Sequence, residues 1–391
     1  MFFKSQFLSI AVLLLGLSAL ASSATVQHQK RRTFTHPGIF HSSADLLRIR
    51  TKVNAQEEPW YTAYTEFAAN SRSQSTYTIN GPKSFVTRDS TIGFVGLYEL
   101  ISDCRAAYDL ALRYSITRDA AYATKSRDIL NTWSNTLTIM NGSDIQLGAS
   151  ITGTHLVNAA EILRYDWNGW AAADITKFSN MIQNIFAPAA HAKSTSAYPY
   201  PGLQLRRLGN PIYEGAFMAF GVFLNNESLY NEALTLYDSD ACGKLSFMIA
   251  STGQYCESGR DQGHTQLSLG NMAEMSQISE NQGEDLWGKL SNRLLLGYEY
   301  TAKYNLGNDG MPYDAAVSAC GASWSAISTI DRGVWRPTYE ILYAHFAVDK
   351  GLAAPYTKQV IQKVGREKLN PVNADADSCE WGTLKFRKAT L

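Results

Sequence analysis

The chain has 391 residues with 35 basic and 35 acidic side chains, so its formal net charge is zero. The first 32 residues carry four bases and no acid, which leaves 31 bases against 35 acids in the remainder. This mildly acidic remainder argues against non-specific binding to nucleic acid or to a membrane surface. A polyanionic ligand would therefore need a local basic cleft.

The first residues have the pattern of a secretory signal peptide. Residues 1–24 combine one basic residue near the start with an apolar run and a small-residue cleavage site. The run is too short for a good membrane span and no other follows, so we expect a secreted, extracellular protein. A basic cluster at positions 30–32 indicates either a processing site or a solvated charge cluster. Processing there would make residues 25–32 a propeptide and 33–391 one mature domain, because no linker-like stretch divides them.

Five cysteines in a secreted chain predict one or two disulfides and an unpaired thiol. The expected pairs are Cys242 with Cys256 and Cys320 with Cys379, although spacing alone leaves other pairings open. The chain lacks the Cys and His spacing of a transition-metal site, so we expect no metal and no other cofactor. Two glycosylation sequons, typical of exposed loops in secreted proteins, begin at Asn141 and Asn226.

Helical patterns recur along the remaining chain, and strand-like alternation is scarce. Two of them, 94–114 and 120–137, flank a short polar turn and predict an antiparallel pair. Helical hairpins without a visible repeat predict an all-α fold, an (α/α) toroid with the hairpins around a central cleft. A stacked solenoid is the alternative, but it requires a repeat period. The other predicted helices span residues 43–53, 158–165, 171–186, 216–223, 227–236, 266–277, 286–304, 337–346 and 356–364.

The stretch GQYCESGRDQGHTQ, residues 253–266, concentrates ionisable side chains: Glu257, Arg260, Asp261 and His264. Its glycines favour backbone conformations that other residues resist. A permanent cation close to a group that titrates near neutrality suits chemistry on an anionic substrate. If the segment is helical, Arg260 and His264 share one face. The alternative is a buried ion-pair network at a helix start, in which Arg260 is held by Glu257 or Asp261.

A second polar stretch, residues 205–215, precedes a predicted helix. Asn210 and Tyr213 would lie at its N-terminal end, where backbone N–H groups favour anions, or Asn210 would only cap the helix. Arg336 either clamps a carboxylate or pairs with Glu340 one turn on. The candidates for sugar contacts, each with a structural alternative in the core or in an ion pair, are His155, Tyr300, Lys303, Trp335, Arg336 and Glu257.

Several segments together carry a family resemblance. They are HPGIFHSSADLLRIRTKV and EPW within residues 36–60, VNAAEILRY, Gly209-Asn210, ESGRDQGHTQ and EYTAKYNLGND. They resemble the alginate-lyase-like superfamily of polysaccharide lyases, in particular the branch of glucuronan and alginate lyases with an α/α toroid. The opening segment and ESGRDQGHTQ are the most specific, and the resemblance spans most of the mature chain. It implies β-elimination at a uronic acid of a 1,4-linked polyuronate.

That reaction requires neutralisation of the substrate carboxylate, a base for the weakly acidic C5 proton and an acid for the departing O4. The resemblance puts Asn210 and Arg260 at the positions of the neutralising residues. The chain departs from the family in having Pro211 where a histidine commonly follows, and in lacking the tyrosine that usually follows the arginine by two helical turns. The candidates that remain for proton transfer are His264 as base and Tyr213 as acid, with His155 and Tyr300 as reserves.

Two other functions fit the same residues. A uronide-acting glycoside hydrolase on an α/α toroid would need two carboxylates across the scissile bond, for which Glu214, Glu257 and Asp261 are available. A non-catalytic carbohydrate-binding relative would keep arginines and aromatics but would have no use for a base. The preferred interpretation is a metal-independent lyase that is a monomer and binds an acidic polysaccharide.

Overall fold

The computed structural model describes residues 32–192, 211–318, 320, 322–369 and 377–391, and of residues 211–213 it describes the backbone alone. Two short strands, β1 (Phe85–Thr87) and β2 (Ile139–Asn141), pair in parallel. The α-helices are α1 (Ser43–Asn54), α2 (Trp60–Ala69), α3 (Leu97–Thr117), α4 (Ala120–Thr136), α5 (Ile145–Asp166), α6 (Ala172–Met181), α7 (Ala187–Ala190), α8 (Pro211–Leu224), α9 (Glu227–Ser239), α10 (Leu245–Met248), α11 (Gln262–Asn281), α12 (Lys289–Asn305), α13 (Tyr339–Tyr343), α14 (Pro355–Val364) and α15 (Gly382–Lys385).

The helices form an α/α toroid, which confirms the predicted fold class. Helices α3, α5, α8, α11 and α13 pack one against the next and make the inner layer. Most of them pack against a neighbour in sequence, as in the pairs α3/α4, α8/α9, α11/α12 and α13/α14. Residues 33–391 form one compact unit. None of the helices in the described ranges has the length and apolarity to cross a bilayer.

Local sequence explains where individual helices begin. The hydroxyl of Ser42 accepts a hydrogen bond from the backbone N–H of Asp45, and the Asp45 carboxylate accepts one from the N–H of Ser42. This capping box starts α1, whose buried residues Leu46, Ile49 and Val53 lie on one face. Removing a cap of this kind costs about 1 kcal/mol.

Two inner helices are longer than their sequences predict. Helix α5 begins at Ile145, thirteen residues before the predicted start, although this part contains glycines and hydroxyl residues of low helix propensity. Burial between α3 and α8 stabilises it, and at Gly153 a Cβ would lie 2.5 Å from the ring of Phe220. Helix α11 begins at Gln262, so Arg260 precedes the helix and does not share a helical face with His264.

The N-terminal segment, residues 33–42, joins the inner helices α5 and α11. The amide of Gln282, just after α11, accepts from the Thr35 N–H and donates to the carbonyls of Thr35 and Gly38. The Phe40 N–H donates to the Asn158 side chain of α5. These hydrogen bonds hold residues 33–42 against α5 and against the end of α11.

The C-terminal segment, residues 377–391, ties the first helices to the last. The carbonyl of Arg387 accepts hydrogen bonds from Trp60 Nε1 and Arg48 Nη1. The side chain of Arg387 forms a buried ion pair with Glu340 of α13. The C-terminal segment therefore joins α1 and α2 to α13.

The predicted disulfide pairings are wrong. The structure has one disulfide, Cys242–Cys320, between residues 78 positions apart, and Cys104, Cys256 and Cys379 are free and buried. Folding brings the loop after α9 beside the long segment between α12 and α13, a proximity that cysteine spacing does not encode. The sequon residue Asn141 is exposed at the end of β2, and half-buried Asn226 caps α9 through its side-chain oxygen.

Candidate active site

The predicted cluster of ionisable residues lies at the N-terminal end of α11, and Asp261 is its centre. One carboxylate oxygen of Asp261 accepts from the backbone N–H of His264 at 2.6 Å, and the other lies 2.7 Å from His264 Nδ1. Burial would raise the pKa of Asp261, but its hydrogen bonds to His264 and the charges of His264 and Arg260 outweigh burial and hold this pKa below its usual value. The imidazole, 43% exposed, presents Nε2 as the nitrogen left for another partner.

Arg260 is held between two carboxylates. Its Nη1 lies 3.0 Å from Glu257 Oε1, and its Nε lies 3.6 Å from Asp261 Oδ2. The ion-pair network that the sequence offered as an alternative is therefore present. It does not exclude a ligand role, because a guanidinium has five N–H donors and can bind several acceptors at once.

The segment between α12 and α13 forms a wall beside this cluster. A Cβ on Gly259 would lie 2.3 Å from Trp324 Cβ and 2.4 Å from Tyr313 Oη, so these half-buried aromatics touch the backbone next to Arg260. The Tyr313 hydroxyl donates to the Trp324 carbonyl at 3.0 Å. We define Tyr313 and Trp324 as the aromatic wall. Local sequence does not indicate that they meet Arg260, because both lie more than fifty residues from it in the chain.

A further carboxylate, that of Asp331, also reaches the helix start, since a Cβ on Gly263 would lie 2.7 Å from Asp331 Oδ2. Of the glycines in this stretch, only Gly253 has a positive φ, of 91°. Gly259 and Gly263 are required for close packing and not for an unusual backbone conformation.

Two glutamines of α11 attach the segment between α12 and α13 to the helix. The Gln262 amide donates to the carbonyls of Ser258 and Ser328 and accepts from Asn305 Nδ2. One turn later, the Gln266 amide donates to the Val334 carbonyl. Because residues four apart lie on the same face of a helix, the spacing of Gln262 and Gln266 was the sequence feature that could have indicated this attachment.

The second predicted stretch is described only in part. Asn210 lies outside the described residues. Tyr213 is the third residue of α8, which begins at Pro211, and its side chain is likewise outside the description. Further along α8, Gly215 and Ala216 line a small cavity together with Asn271 of α11. The second turn of α8 therefore faces the same inner helix that begins beside Arg260.

His155 lies in the middle of α5 and not at a helix start. It is 7% exposed, its Nδ1 lies 3.0 Å from the Ile151 carbonyl, and burial lowers its pKa to about 4. Its ring lines the same cavity, of about 20 Å³, as Glu274, whose pKa burial raises to about 8. The structure thus gives His155 an interior position.

The remaining predicted contact residues each have a partner of their own in the structure. Buried Tyr300 donates its hydroxyl to the Pro312 carbonyl at 2.7 Å, and burial raises its pKa to about 12. Buried Arg336 pairs with Asp377 at 3.0 Å, and not with Glu340 as one alternative held. The others are half-buried: Lys303 Nζ lies 5.3 Å from the Tyr356 ring centre, and Trp335 packs edge-on against Tyr339.

One group in the described ranges has the spacing of metal ligands, Glu280, His345 and Asp349. His345 Nδ1 lies 3.1 Å from Glu280 Oε1, and Lys388 pairs with Asp349. The lysine ammonium therefore compensates the negative charge of this surface group.

Comparisons with known proteins agree with this architecture. The family model described as Alginate lyase matches residues 95–310. The crystal structure of alginate lyase A1-III from Sphingomonas species A1 is similar with a TM-score of 0.63 at 13% identity, over 88% of this chain and 95% of that one. An alginate lyase from Bacteroides ovatus gives 0.54 at 13% identity, over 90% and 99%. A variant of the A1-III enzyme complexed with a tetrasaccharide gives 0.61 at 12% identity, over 88% and 94%. No curated protein matches the chain significantly.

Proposed function

The chain belongs to the alginate lyase family and is a polysaccharide lyase, and on that premise we propose that it cleaves a 1,4-linked polyuronate, glucuronan or alginate, without a metal. The products would carry an unsaturated uronic acid at the new non-reducing end. The observation that supports this proposal most directly is the joint attachment of Arg260 and His264 to Asp261 at an accessible helix start. It puts a fixed cation and a proton acceptor beside each other.

Neutralisation of the substrate carboxylate is assigned to Arg260, with Asn210 as its partner. Removal of the C5 proton leaves an enolate-like dianion, and a guanidinium at the carboxylate lowers the energy of this species more than that of the ground state. The aromatic wall next to Arg260 offers ring faces with polar edges, which suit the faces of a sugar. A uronate residue bound there would have its carboxylate at Arg260.

Proton transfer is assigned to His264 as base and Tyr213 as acid. His264 Nε2 takes the C5 proton, the C–H electron pair forms the C4–C5 double bond, and the C4–O4 bond breaks. The departing O4 receives a proton from Tyr213. His264 suits the first step because an imidazole is a competent base near neutral pH, whereas the interior positions of His155 and Tyr300 fit neither role.

The hydrolase alternative is less compatible with the carboxylates observed. Glu214 is fully buried, and neither of its carboxylate oxygens has a hydrogen-bond partner among the described residues. Glu257 and Asp261 both pair with Arg260 and so belong to a single ion-pair group. A hydrolase needs its two carboxylates on opposite sides of the scissile bond.

We also propose that the protein is secreted as a monomeric glycoprotein. The Cys242–Cys320 disulfide supports export, because disulfides persist in oxidising compartments. Exposed Asn141 suits glycan attachment, and Asn226 can carry a glycan on its nitrogen while its oxygen caps α9.

The decisive experiment measures ultraviolet absorbance of the unsaturated uronide during incubation with glucuronan, mannuronate-rich alginate and guluronate-rich alginate, each with and without EDTA. We expect absorbance to rise on at least one polymer and to be unaffected by EDTA. The His264→Gln variant should still bind that polymer without producing the signal. New reducing ends without absorbance would establish the hydrolase, and binding without turnover by the parent would establish the carbohydrate-binding relative.

A further inference from the structure

The Asp261 carboxylate serves the backbone and the ring of the same residue, His264. Its first oxygen caps α11 through the His264 N–H, and its second faces His264 Nδ1 at 2.7 Å. Because one planar group makes both contacts, the orientation of the imidazole is fixed relative to the helix axis. The backbone carbonyl of Asp261 also accepts from the Thr265 hydroxyl, which fixes Asp261 itself.

We infer that Asp261 is a positioning residue that holds His264 in the tautomer with a proton on Nδ1 and a bare Nε2. An ionised carboxylate only accepts hydrogen bonds, so a bare Nδ1 at 2.7 Å would set two lone pairs against each other. Neutral His264 must therefore carry its proton on Nδ1. The catalytic consequence rests on the proposed function: Nε2 is then the atom that can accept the C5 proton.

The same contact stabilises the state that follows proton abstraction. When Nε2 gains the C5 proton, His264 becomes an imidazolium whose Nδ1–H already points at the negative Asp261. The pair therefore gains charge–charge attraction as the reaction advances, while Asp261 stays ionised throughout. Arg260 is held independently by Glu257, so removing the Asp261 charge leaves one of its two carboxylate partners in place.

Asp261→Asn separates this role from helix capping. Asparagine caps a helix as well as aspartate does, and its oxygen can still accept from the His264 N–H. Its NH₂ group then faces Nδ1 and donates to it, which moves the histidine proton to Nε2. Asp261→Ser retains a capping oxygen and removes the partner of the ring. The matched control is Asp119→Asn, where an aspartate caps α4 by accepting from the Ala121 N–H.

The first measurement is ¹⁵N NMR of the full chain labelled at histidine, with the His264 signals assigned by their loss in His264→Gln. We expect neutral His264 to show a protonated Nδ1 and a bare Nε2 in the parent, and the reverse in Asp261→Asn. A bare Nδ1 in the parent, or the same tautomer in both proteins, would overturn the inference. This readout does not depend on turnover, so it decides the tautomer even if no polymer is cleaved.

The second measurement is lyase kinetics on the polymer that the parent cleaves. Asp261→Asn should lower kcat by roughly 10²–10⁴-fold, the range for a base held in the wrong tautomer, with KM and Tm close to those of the parent. Asp119→Asn should leave kcat unchanged. An unchanged kcat in Asp261→Asn with His264→Gln inactive would overturn the positioning role and leave the lyase assignment intact. Absence of parent activity would instead refute the proposed function.

Discussion

Arg260 Nη1 lies 3.0 Å from Glu257 Oε1, across the turn that immediately precedes α11. The backbone of the same two residues is joined by a hydrogen bond from the Arg260 N–H to the Glu257 carbonyl. Both ends of the arginine are thus fixed before a substrate arrives. A cation fixed in this way loses little conformational entropy when it binds a carboxylate. This preorganisation suits stabilisation of the negative charge that develops during the reaction.

Arg260→Lys should lower kcat/KM by about 10²–10³-fold, which is typical for loss of an oriented donor at a developing negative charge. Lysine keeps the positive charge but not the planar fork that matches a carboxylate. Steady-state kinetics on the cleaved polymer measure the effect. Arg118→Lys, an exposed arginine paired with Asp166 at the end of α3, is the control and should behave as the parent. Equal kinetics of the two variants would remove Arg260 from the mechanism.

Gly259→Ala should impair both activity and stability. The new Cβ would lie 2.3 Å from Trp324 Cβ, so either the aromatic wall or the Arg260 backbone must move. We expect kcat/KM to fall about 10²-fold, as for a catalytic group displaced by about 1 Å. The free energy of unfolding should fall by about 1–3 kcal/mol. Gly310→Ala, where no atom lies within 4 Å of the new Cβ, should change neither quantity.

Trp324→Ala should weaken substrate binding. We expect KM to rise roughly tenfold, equivalent to ~1.4 kcal/mol of lost stacking, with a smaller change in kcat. Tyr313→Phe, which removes only the hydroxyl that donates to the Trp324 carbonyl, should give a smaller rise in KM. A fall in kcat at unchanged KM for Trp324→Ala would contradict a role of the aromatic wall in binding.

His36 should make the stability of the protein pH-dependent. Burial and the charge of Arg164 would lower its pKa, but hydrogen bonds to Glu161 and Asn225 and the charge of Glu161 outweigh them and raise it above 6.5. The folded state then binds more protons than the unfolded state above pH 6.5. The stabilisation is therefore complete below pH 6.5 and is lost as pH rises through the folded pKa. The ring also stacks on Tyr165.

Urea unfolding of the parent and His36→Gln across this pH range tests the expectation. The difference between their unfolding free energies should be largest below pH 6.5 and shrink as pH rises. Glu161→Gln should remove the same dependence, since it deletes the hydrogen bond and charge that raise the His36 pKa. A difference that stays constant with pH would show that the His36–Glu161 contact carries no proton linkage.

Glu214→Gln should stabilise the protein at alkaline pH. Burial raises the pKa of Glu214 well above its usual value, and the negative charges of Asp240 and Asp238 raise it further. The unfolded chain loses this proton near pH 4.5 while the folded chain keeps it, so stability falls as pH rises further, by at most about 1.4 kcal/mol per pH unit. Glutamine has no such linkage. The variant should match the parent at pH 4 and exceed it at pH 8 in urea unfolding, and equal stability at both would contradict the prediction.

The sequence predicted the α/α toroid because amphipathic helices with short connections can bury their apolar faces in few ways. It also located the cluster of Glu257, Arg260, Asp261 and His264, since side chains a few residues apart in a turn and first helical turn must lie close together. The helix boundary decided the details. With α11 starting at Gln262, Asp261 became the cap, and Arg260 turned toward Glu257 instead of sharing a helical face with His264.

The contacts between distant segments came only from the tertiary structure. Cysteine spacing did not reveal that Cys242 meets Cys320, and residue type did not reveal that Arg336 meets Asp377 or that Trp324 meets Gly259. Sequence periodicity reports which face of a helix is buried, not which partner covers it. Local spacing therefore determined the catalytic candidates at the start of α11, whereas packing of helices and loops remote in the chain decided what surrounds them.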